Sequence, residues 1–275
     1  RTPVKIALIS VAFNIVMALA LLKPMGHAGI ALATSLASWV NFLLLTLALY
    51  RAKLLFIDRA FLGKAMRIAV AAMVMAALGG AEGKARFVGG CVRNMLMGRD
   101  VGDIDIATIR TPDEVTARLE KAGINVIPTG IDHGTVTAVV NKKHFEITTL
   151  RRDVETDGRR AVVAYTQDWT EDAQRRDFTM NTLLADAEGN IFDPTGQGLA
   201  DIEKRRVAFV GDARMRIRED YLRILRFFRF HAIYGEVMPD VAGLAACREL
   251  ADKIPGLSKE RITQEFFRIL SVDNP

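Results

Sequence analysis

Apolar and polar positions divide this chain into two parts of different character. In the first part, residues 6–22 and 28–50 are uncharged runs of 17 and 23 residues, separated by a short polar turn. A helix needs about 20 apolar residues to cross a membrane, and these two lengths lie on either side of that value. We therefore predict a membrane α-helical hairpin within residues 1–79. A hairpin buried in a soluble protein is the alternative.

Basic residues surround the open ends of this hairpin, at positions 1, 5 and 51–67, whereas its turn carries Lys23 and His27. The positive-inside rule then places both ends in the cytoplasm. A third apolar run, 68–81, would be about 21 Å long as a helix, too short to cross a hydrocarbon core of about 30 Å. We expect residues 1–79 in the inner (plasma) membrane and the rest of the chain in the cytoplasm.

Beyond residue 80 the long apolar runs stop, and short alternating and helical patterns replace them. They predict an α+β domain over 80–210, followed by a helical domain over 211–275. Thr111 followed by Pro112 and two acids is typical of a capped helix start. The predicted strands are 86–88, 104–107, 135–140 and 144–150, and the predicted helices include 91–97, 111–121 and 259–270.

The net charge of +5 and the pI near 9.3 come from the front segment. Residues 1–79 hold eight of the 37 basic residues and one of the 32 acids, which leaves 29 basic and 31 acidic residues beyond. Overall basicity is therefore no evidence for a nucleic-acid partner, which must be argued from local patches. Cys91 and Cys247 lie far apart without metal-ligand spacing, and we expect both thiols to be reduced and buried.

One motif combines a glycine pair with two carboxylates. Gly89 and Gly90 lead into a predicted helix that carries Arg93, an arrangement that can bind phosphate. Asp103 and Asp105, one residue apart on a predicted strand, face the same side and can hold a divalent metal. A lone Asp-x-Asp is often a solvated strand end, but its position directly after the glycine motif favours a site for a nucleoside triphosphate with Mg²⁺.

Two further groups could complete such a site. Glu146 lies on the polar face of a later strand, as a third carboxylate or as an exposed strand acid. Arg175 and Arg176, beside Asp177, can pair with phosphate and fix ribose geometry, and Asn181 can hydrogen-bond to sugar or backbone. The alternative for this second group is a capped helix start with a surface ion pair.

A fourth motif repeats charge every three residues, at Asp220, Arg223, Arg226 and Arg229, which predicts one polar stripe on a helix. A salt-bridged surface is one interpretation. The other is base selection, because cytosine and adenine both offer an amine donor beside a ring-nitrogen acceptor. A carboxylate acceptor at Asp220 and a guanidinium donor at Arg223 match that pattern and repel guanine and uracil.

These four motifs, in this order, resemble the class II tRNA nucleotidyltransferases, which comprise the CCA-adding enzymes and the bacterial poly(A) polymerases. The resemblance covers residues 80–275 and rests on GGCVRN, GDIDIAT, EITTLR, RRDFTMN, DPTGQGLADIEKR and EDYLRILRFFRF. It implies a DNA polymerase beta-like head followed by a helical neck. It also implies transfer of C, C and A from CTP and ATP to the 3′ end of tRNA.

The resemblance further implies roles for individual residues. Carboxylates matching Asp103 and Asp105 bind Mg²⁺ and activate the primer hydroxyl, and residues matching Gly90, Arg93 and Arg176 contact the incoming nucleotide. Those matching the stripe from Asp220 to Arg229 form the nucleotide site, its first two members reading the base. The stretch PTGIDHGT is similar to the CCA-adding branch, with poly(A) polymerase as the alternative. The family's tRNA-gripping body is expected to be largely missing from this sequence.

The front segment resembles late transmembrane helices of the MurJ/MviN-type lipid II flippases, through RTPVKIALISVAFNIV and PMGHAGIALATSLASWVN. It covers about 78 residues of a protein with many more helices, and three helices cannot form an alternating-access cavity. Transport by this chain alone is therefore not expected. One further alternative is a non-transporting flippase fragment joined to an inactive nucleotidyltransferase, by accidental fusion or by an error of assembly.

Overall fold

The computed structural model describes residues 2–52, 59–141, 143–156 and 161–272. Its contacts separate the chain into two units, Arg1–Met66 and Arg67–Pro275.

The first unit contains a long apolar helix that bends sharply. Helix α1 (Thr2–Arg51) includes Pro24 and adopts non-helical angles at Gly26, with φ 56° and ψ −136°. Ser10 Oγ lies 3.4 Å from Asn41 Oδ1. In a straight helix those residues would stand about 46 Å apart. The two limbs of α1 therefore fold back on each other, which confirms the predicted hairpin.

Most apolar side chains of α1 face outward. Leu19, Trp39 and Leu43 are each at least 60% exposed, whereas the buried contact between the limbs uses small residues such as Ala33 and Ala37. Within Lys5–Arg51 an 18-residue segment reaches a mean hydropathy of 2.3, and the helix is long and apolar enough to cross a membrane. An outward apolar surface of this extent is typical of a protein that meets lipid or another apolar partner.

Helix α2 runs from Arg59 to Ala77. Its part from Arg67 onward is the start of the second unit. Val74 and Leu78 are fully buried and share one hydrophobic cluster with Ile106 of the sheet. The apolar run 68–81, which is too short to cross a membrane, packs on a sheet instead. The structural boundary accordingly lies upstream of the expected one at residues 79/80.

A mixed sheet forms the centre of the second unit. Its strands pair in the order β3-β4-β5-β2-β1-β8-β9, with β2 and β5 parallel and the other neighbours antiparallel. A separate two-stranded ribbon is formed by β6 and β7. The strands are β1 (Ala85–Val88), β2 (Asp105–Thr108), β3 (Asn125–Gly130), β4 (Thr135–Val140), β5 (Lys143–Thr149), β6 (Arg151–Thr156), β7 (Ala161–Tyr165), β8 (Leu184–Ala185) and β9 (Ile191–Phe192).

Helices flank this sheet and continue as a helical neck. The helix after Thr111 begins with the expected capping box, in which Thr111 and Glu114 each bind the other's backbone. The helices of the second unit after α2 are α3 (Gly90–Leu96), α4 (Pro112–Lys121), α5 (Trp169–Gln174), α6 (Gly198–Glu203), α7 (Ala213–Glu219), α8 (Leu222–Tyr234), α9 (Val241–Glu249) and α10 (Lys259–Leu270).

An aromatic cluster joins the head to the neck. Phe178 lies 5.0 Å from Phe209 and 4.9 Å from Phe230 of α8, measured between ring centres. All three side chains are buried. Because Phe178 directly follows Asp177, this packing fixes the RRDF segment against α8. The α+β fold with a helical neck is confirmed, and both cysteines are free and buried as expected.

Candidate active site

A cleft of about 520 Å³ lies where the head meets the neck. It collects ten of the thirteen predicted site residues and adds four others. Its lining residues are Gly89, Gly90, Arg93, Asp105, Arg175, Arg176, Asp177, Asn181, Asp220, Leu222, Arg223, Arg226, Phe230 and Arg261.

The glycine pair lies beside two guanidinium groups. Gly89 adopts φ 71° and ψ −126°, angles that favour glycine, immediately before α3. A Cβ atom at Gly89 would lie 3.6 Å from Arg176 Nη1, and one at Gly90 would lie 3.5 Å from Arg93 Nη2. The turn therefore leaves room beside two positive charges, as phosphate binding requires.

Three carboxylates meet at one edge of the sheet. The parallel pairing of β2 with β5 places Asp105 directly beside Glu146, and Asp103 precedes Asp105 by two residues. Burial, then Glu146 and then Asp103 raise the pKa of Asp105 to about 6, and Arg176 acts in the opposite direction. Glu146 is exposed, and its charge acts on Asp105.

This acidic edge suits a divalent cation. Asp103 is fully exposed, and its nearest ion-pair partner is Arg67 at 4.0 Å. Within the described parts of the chain, no set of three His, Cys, Asp or Glu residues is arranged tightly enough to enclose a metal ion. The mutual repulsion of Asp103, Asp105 and Glu146 is nevertheless what a bound cation relieves, and carboxylate oxygens are the ligands that Mg²⁺ prefers.

Arg93, which also lines the cleft, is held by hydrogen bonds and stacking. It donates to Asn181 Oδ1 through Nη1, and to the Tyr234 hydroxyl through Nη2 at 2.7 Å. Its guanidinium lies 4.1 Å from the centre of the Tyr234 ring. Burial lowers the pKa of Arg93, which remains a cation in a water-poor site where its attraction for phosphate is strong.

Asp177 links the RRDF segment to α8. Its carboxylate accepts from Asn181 Nδ2 at 2.9 Å and from Arg226 Nε at 2.9 Å. Burial opposes ionisation of Asp177, but Arg226 and the hydrogen bonds outweigh it, so the pKa lies below its ordinary value. Asp177 is therefore a fixed anion that orients Arg226 and Asn181 toward the cleft.

Asp220, the predicted first residue of the polar stripe, is not part of the helix that carries Arg223 and Arg226. Asp220 has extended angles, φ −154° and ψ 106°, at the end of α7, and α8 starts at Leu222. Its carboxylate accepts from Arg261 at 2.7 Å, whereas Arg223 donates to Glu219 at 2.6 Å. Asp220 and Arg223 both line the cleft, but they are not paired with each other.

Three expected site residues lie outside the cleft lining. Asp103 and Glu146 flank it beside Asp105. Arg229 forms an ion pair with the buried Glu265 of α10 at 2.6 Å, and, after burial, its charge helps to lower the pKa of Arg93 in the cleft. The structure thus places Arg229 against α10 rather than in the cleft lining beside Arg223.

The cleft also contains residues outside the thirteen predicted site residues, chiefly Arg175, Phe230 and Arg261. Arg175 belongs to the same double-arginine motif as Arg176, so its proximity could have been expected. Phe230 lies one helical turn from Arg226 on α8. Arg261 is 41 residues from Asp220, and no local pattern indicates that contact.

Comparisons with known proteins agree with this geometry. Residues 85–208 match the family model described as the poly A polymerase head domain. The mitochondrial CCA tRNA nucleotidyltransferase 1 of Danio rerio is 45% identical over 190 residues, which are 67% of this chain and 43% of the relative. The CCA-adding enzyme of Geobacillus sp. strain WCH70 is 42% identical over 189 residues, 68% of this chain and 45% of the relative. Over these residues the second unit is similar to the poly A polymerase head domain and to CCA-adding enzymes.

Solved structures of CCA-adding enzymes show the same fold as the second unit. The CCA-adding enzyme of Bacillus stearothermophilus in complex with CTP superimposes with a TM-score of 0.65 and 35% identity, covering 74% of this chain and 48% of that one. An apo CCA-adding enzyme at 19% identity gives a TM-score of 0.66 and shows the fold alone. The chain spans less than half the length of the curated relatives it matches.

The front of the chain matches a different family. The model of the lipid II flippase MurJ covers residues 1–92. This confirms the resemblance read from the apolar runs. The match overlaps the nucleotidyltransferase head between residues 85 and 92.

Proposed function

We propose that the nucleotidyltransferase unit adds C, C and A to tRNA 3′ ends from CTP and ATP, without a nucleic-acid template and with Mg²⁺. The observation that carries this is one cleft that brings Asp105, at the acidic sheet edge, together with a set of oriented arginines and with Asp220. The curated relatives at 40–46% identity, which are named CCA-adding enzymes or CCA tRNA nucleotidyltransferases, support it.

In this proposal Asp103 and Asp105 hold Mg²⁺, which supplies Lewis-acid polarisation of the attacking 3′ hydroxyl and of the α-phosphate. Glu146 deepens the negative potential that attracts the cation. Arg93 and Arg176 would balance the charge of the triphosphate. Since phosphoryl transfer depends mostly on positioning and electrostatics, these held groups account for much of what the reaction needs.

Asp177 and Asn181 complete the nucleotide site in this proposal. Arg226 fixes the Asp177 carboxylate, and Asn181 bonds both Asp177 and Arg93. An incoming ribose would therefore meet polar groups whose orientation is already set. Such preorganisation reduces the entropy lost on binding.

Base choice is assigned to Asp220 and Arg223. Asp220 would accept from the exocyclic amine of cytosine or adenine, and Arg223 would donate to the neighbouring ring nitrogen. Both residues are held by protein partners, Arg261 and Glu219, that can release or share their hydrogen bonds when a base enters. Guanine and uracil present the opposite donor–acceptor order and leave both protein groups unpaired.

The test uses the full-length chain in detergent, a tRNA that lacks its 3′ CCA, and each nucleoside triphosphate with Mg²⁺. We expect incorporation of CMP and AMP, with GMP and UMP excluded. Equal incorporation of all four nucleotides would contradict the base-reading assignment. No incorporation, together with no CTP binding, would contradict the proposed activity.

Poly(A) polymerase activity is the second candidate, because residues 85–208 match the poly A polymerase head domain. A tRNA that already ends in CCA, supplied with ATP alone, separates the two activities. A CCA-adding enzyme leaves this tRNA unchanged, whereas a poly(A) polymerase extends it by many AMP residues. We expect no extension.

We further propose that residues 1–66 anchor the chain in the inner (plasma) membrane and leave the catalytic unit in the cytoplasm. The outward apolar surface of α1 and the match to the flippase family support this. Membrane fractionation combined with a lipid flipping assay should show insertion without flipping. Recovery of the chain in the soluble fraction would contradict the anchor, and flipping would favour a transport role.

A further inference from the structure

Asp172 lies behind the cleft on α5 and holds two arginines that reach the cleft. Its side chain is almost fully buried, with the residue 3% exposed. Oδ1 accepts from Arg175 Nε at 3.0 Å and from the backbone N–H of Arg151 at 3.3 Å. Oδ2 accepts from Arg176 Nε at 3.2 Å and Nη2 at 2.9 Å. Both oxygens are therefore occupied by protein donors, so this carboxylate is not placed to meet a substrate.

The contacts of Asp172 fix the orientation of Arg176. They occupy the Nε–Nη2 edge of its guanidinium and leave Nη1 toward Gly89 and the backbone carbonyl of Asn181, 3.5 Å away. The Arg176 side chain is 20% exposed, so it reaches the cleft while its inner edge is anchored. An arginine held in this way loses little conformational freedom when it binds an anion.

A competing orientation explains why such an anchor matters. Arg176 lies close enough to Asp105 for its charge to lower the pKa of that carboxyl. Without an anchor on its other edge, the guanidinium would be drawn toward the acidic sheet edge. It would then neutralise the proposed metal site and leave the triphosphate side of the cleft.

We propose that Asp172 is a positioning residue that keeps Arg176 directed at the triphosphate of the incoming nucleotide. The inference rests on the proposed nucleotidyl transfer at this cleft. Asp172 is ionised for this task, since Arg176 and Arg175 outweigh the effect of burial and lower its pKa. Replacement by asparagine keeps the size of the side chain but removes the charge and turns an amide donor toward the arginines.

The first test is a double-mutant cycle on CTP affinity, measured with the full-length protein. Asp172→Asn and Arg176→Ala should each weaken CTP binding by roughly 10- to 100-fold, the range for a lost charge-assisted hydrogen-bond pair. The double variant should bind within about twofold of Arg176→Ala alone, because both changes remove one function. Additive losses would overturn the inference.

The matched control is Asp201→Asn. Asp201 is fully buried and accepts from Arg206 at 2.7 Å and from Thr179 at 2.6 Å, but it does not line the cleft. The same chemical change there should lower the melting temperature comparably and leave CTP affinity unchanged. Equal losses of affinity in both variants would mean that a general loss of packing, not Arg176 orientation, is being measured, and would overturn the inference.

A second measurement separates this inference from the proposed function. Exchange of the Arg176 Nε proton with water, followed by NMR in the nucleotide-free protein, should accelerate at least tenfold in Asp172→Asn. Unchanged exchange would overturn the positioning role whether or not the protein binds CTP. Failure of the unmodified chain to bind CTP, with exchange accelerated as expected, would instead count against the proposed activity alone.

Discussion

The two walls of the cleft are built on opposite electrostatic principles. On the arginine wall, Arg93, Arg176, Arg223 and Arg226 are each held by a carboxylate, an amide or an aromatic ring. On the acid wall, no hydrogen bond or ion pair from the described residues neutralises Asp105, whose neighbours are also acids. One wall is complete without a ligand, and the other becomes electrostatically balanced only when a cation arrives.

This difference shows how the chain divides the work of binding. Preorganised donors bind an anion without reorganising, so the arginine wall is suited to positioning the nucleotide. Repelling carboxylates store electrostatic free energy that metal binding releases, so the acid wall is suited to recruiting a cation. Substitutions on the acid wall should therefore lower the rate of nucleotide incorporation, and substitutions on the arginine wall should lower nucleotide affinity and selectivity.

The largest effect is expected from Asp105→Ala, the centre of the acid wall. Loss of this proposed metal ligand should lower CMP and AMP incorporation on the order of a thousandfold, with CTP affinity changed far less. Asp103→Ala should behave similarly. The assay is single-turnover incorporation into tRNA, with Asp113→Ala, an exposed acid at the start of α4, as control. Incorporation within tenfold of the unmodified chain would remove the residue from the metal site.

A smaller effect is expected on the neck side of the arginine wall. Arg223→Ala should reduce the preference for CTP and ATP over GTP and UTP by roughly 10- to 100-fold, the discrimination expected of a base-edge contact. Arg229→Ala is the matched control, because Arg229 pairs with Glu265 outside the cleft lining. Its selectivity should not change. Loss of selectivity in Arg229→Ala and not in Arg223→Ala would reverse the assignment.

The sequence predicted those features of this cleft that depend on local spacing. The capping box at Thr111 and the helix Lys259–Leu270 follow from short-range patterns and were confirmed. The side-by-side placement of Asp105 and Glu146 could only be suggested, since the pairing of β2 with β5 is a long-range event.

The features that the sequence missed depend on which surfaces meet. The charge periodicity predicted that Asp220 lies on the same helix as Arg223. In the structure Asp220 has an extended backbone between α7 and α8, and its carboxylate accepts a hydrogen bond from Arg261 of α10. Likewise, the apolar pattern of 68–81 could not show that this helix packs on a sheet. Burial by a distant element leaves no local signature in the chain.

Two substitutions should shift the titration of Asp105 in opposite directions. Arg176→Ala removes the cation that lowers this pKa and should raise it above about 6, whereas Glu146→Gln removes a repelling anion and should lower it. Each shift should be about one pH unit or less, because both partners are partly exposed to solvent. Carbon-13 NMR of the metal-free protein measures the titration directly. Shifts of the same sign would show that the two walls do not act on Asp105 as described.

The smallest expected effect is on the stability of the fold, which the negative charge of Asp105 should lower. An acid whose pKa rises from 3.8 in the unfolded chain to about 6 in the folded one binds its proton more tightly when folded. Ionisation therefore destabilises the fold fully above pH 6, and the effect vanishes as pH falls toward 3.8. Asp105→Asn should raise the melting temperature by a few degrees at pH 7.5 without Mg²⁺, and by less at pH 4.5.

Arg226→Gln, on the arginine wall, should lower the melting temperature instead, because it leaves the buried Asp177 without its cation. Calorimetric scans at both pH values decide the matter: a gain in Asp105→Asn that does not depend on pH would assign the effect to packing rather than to charge.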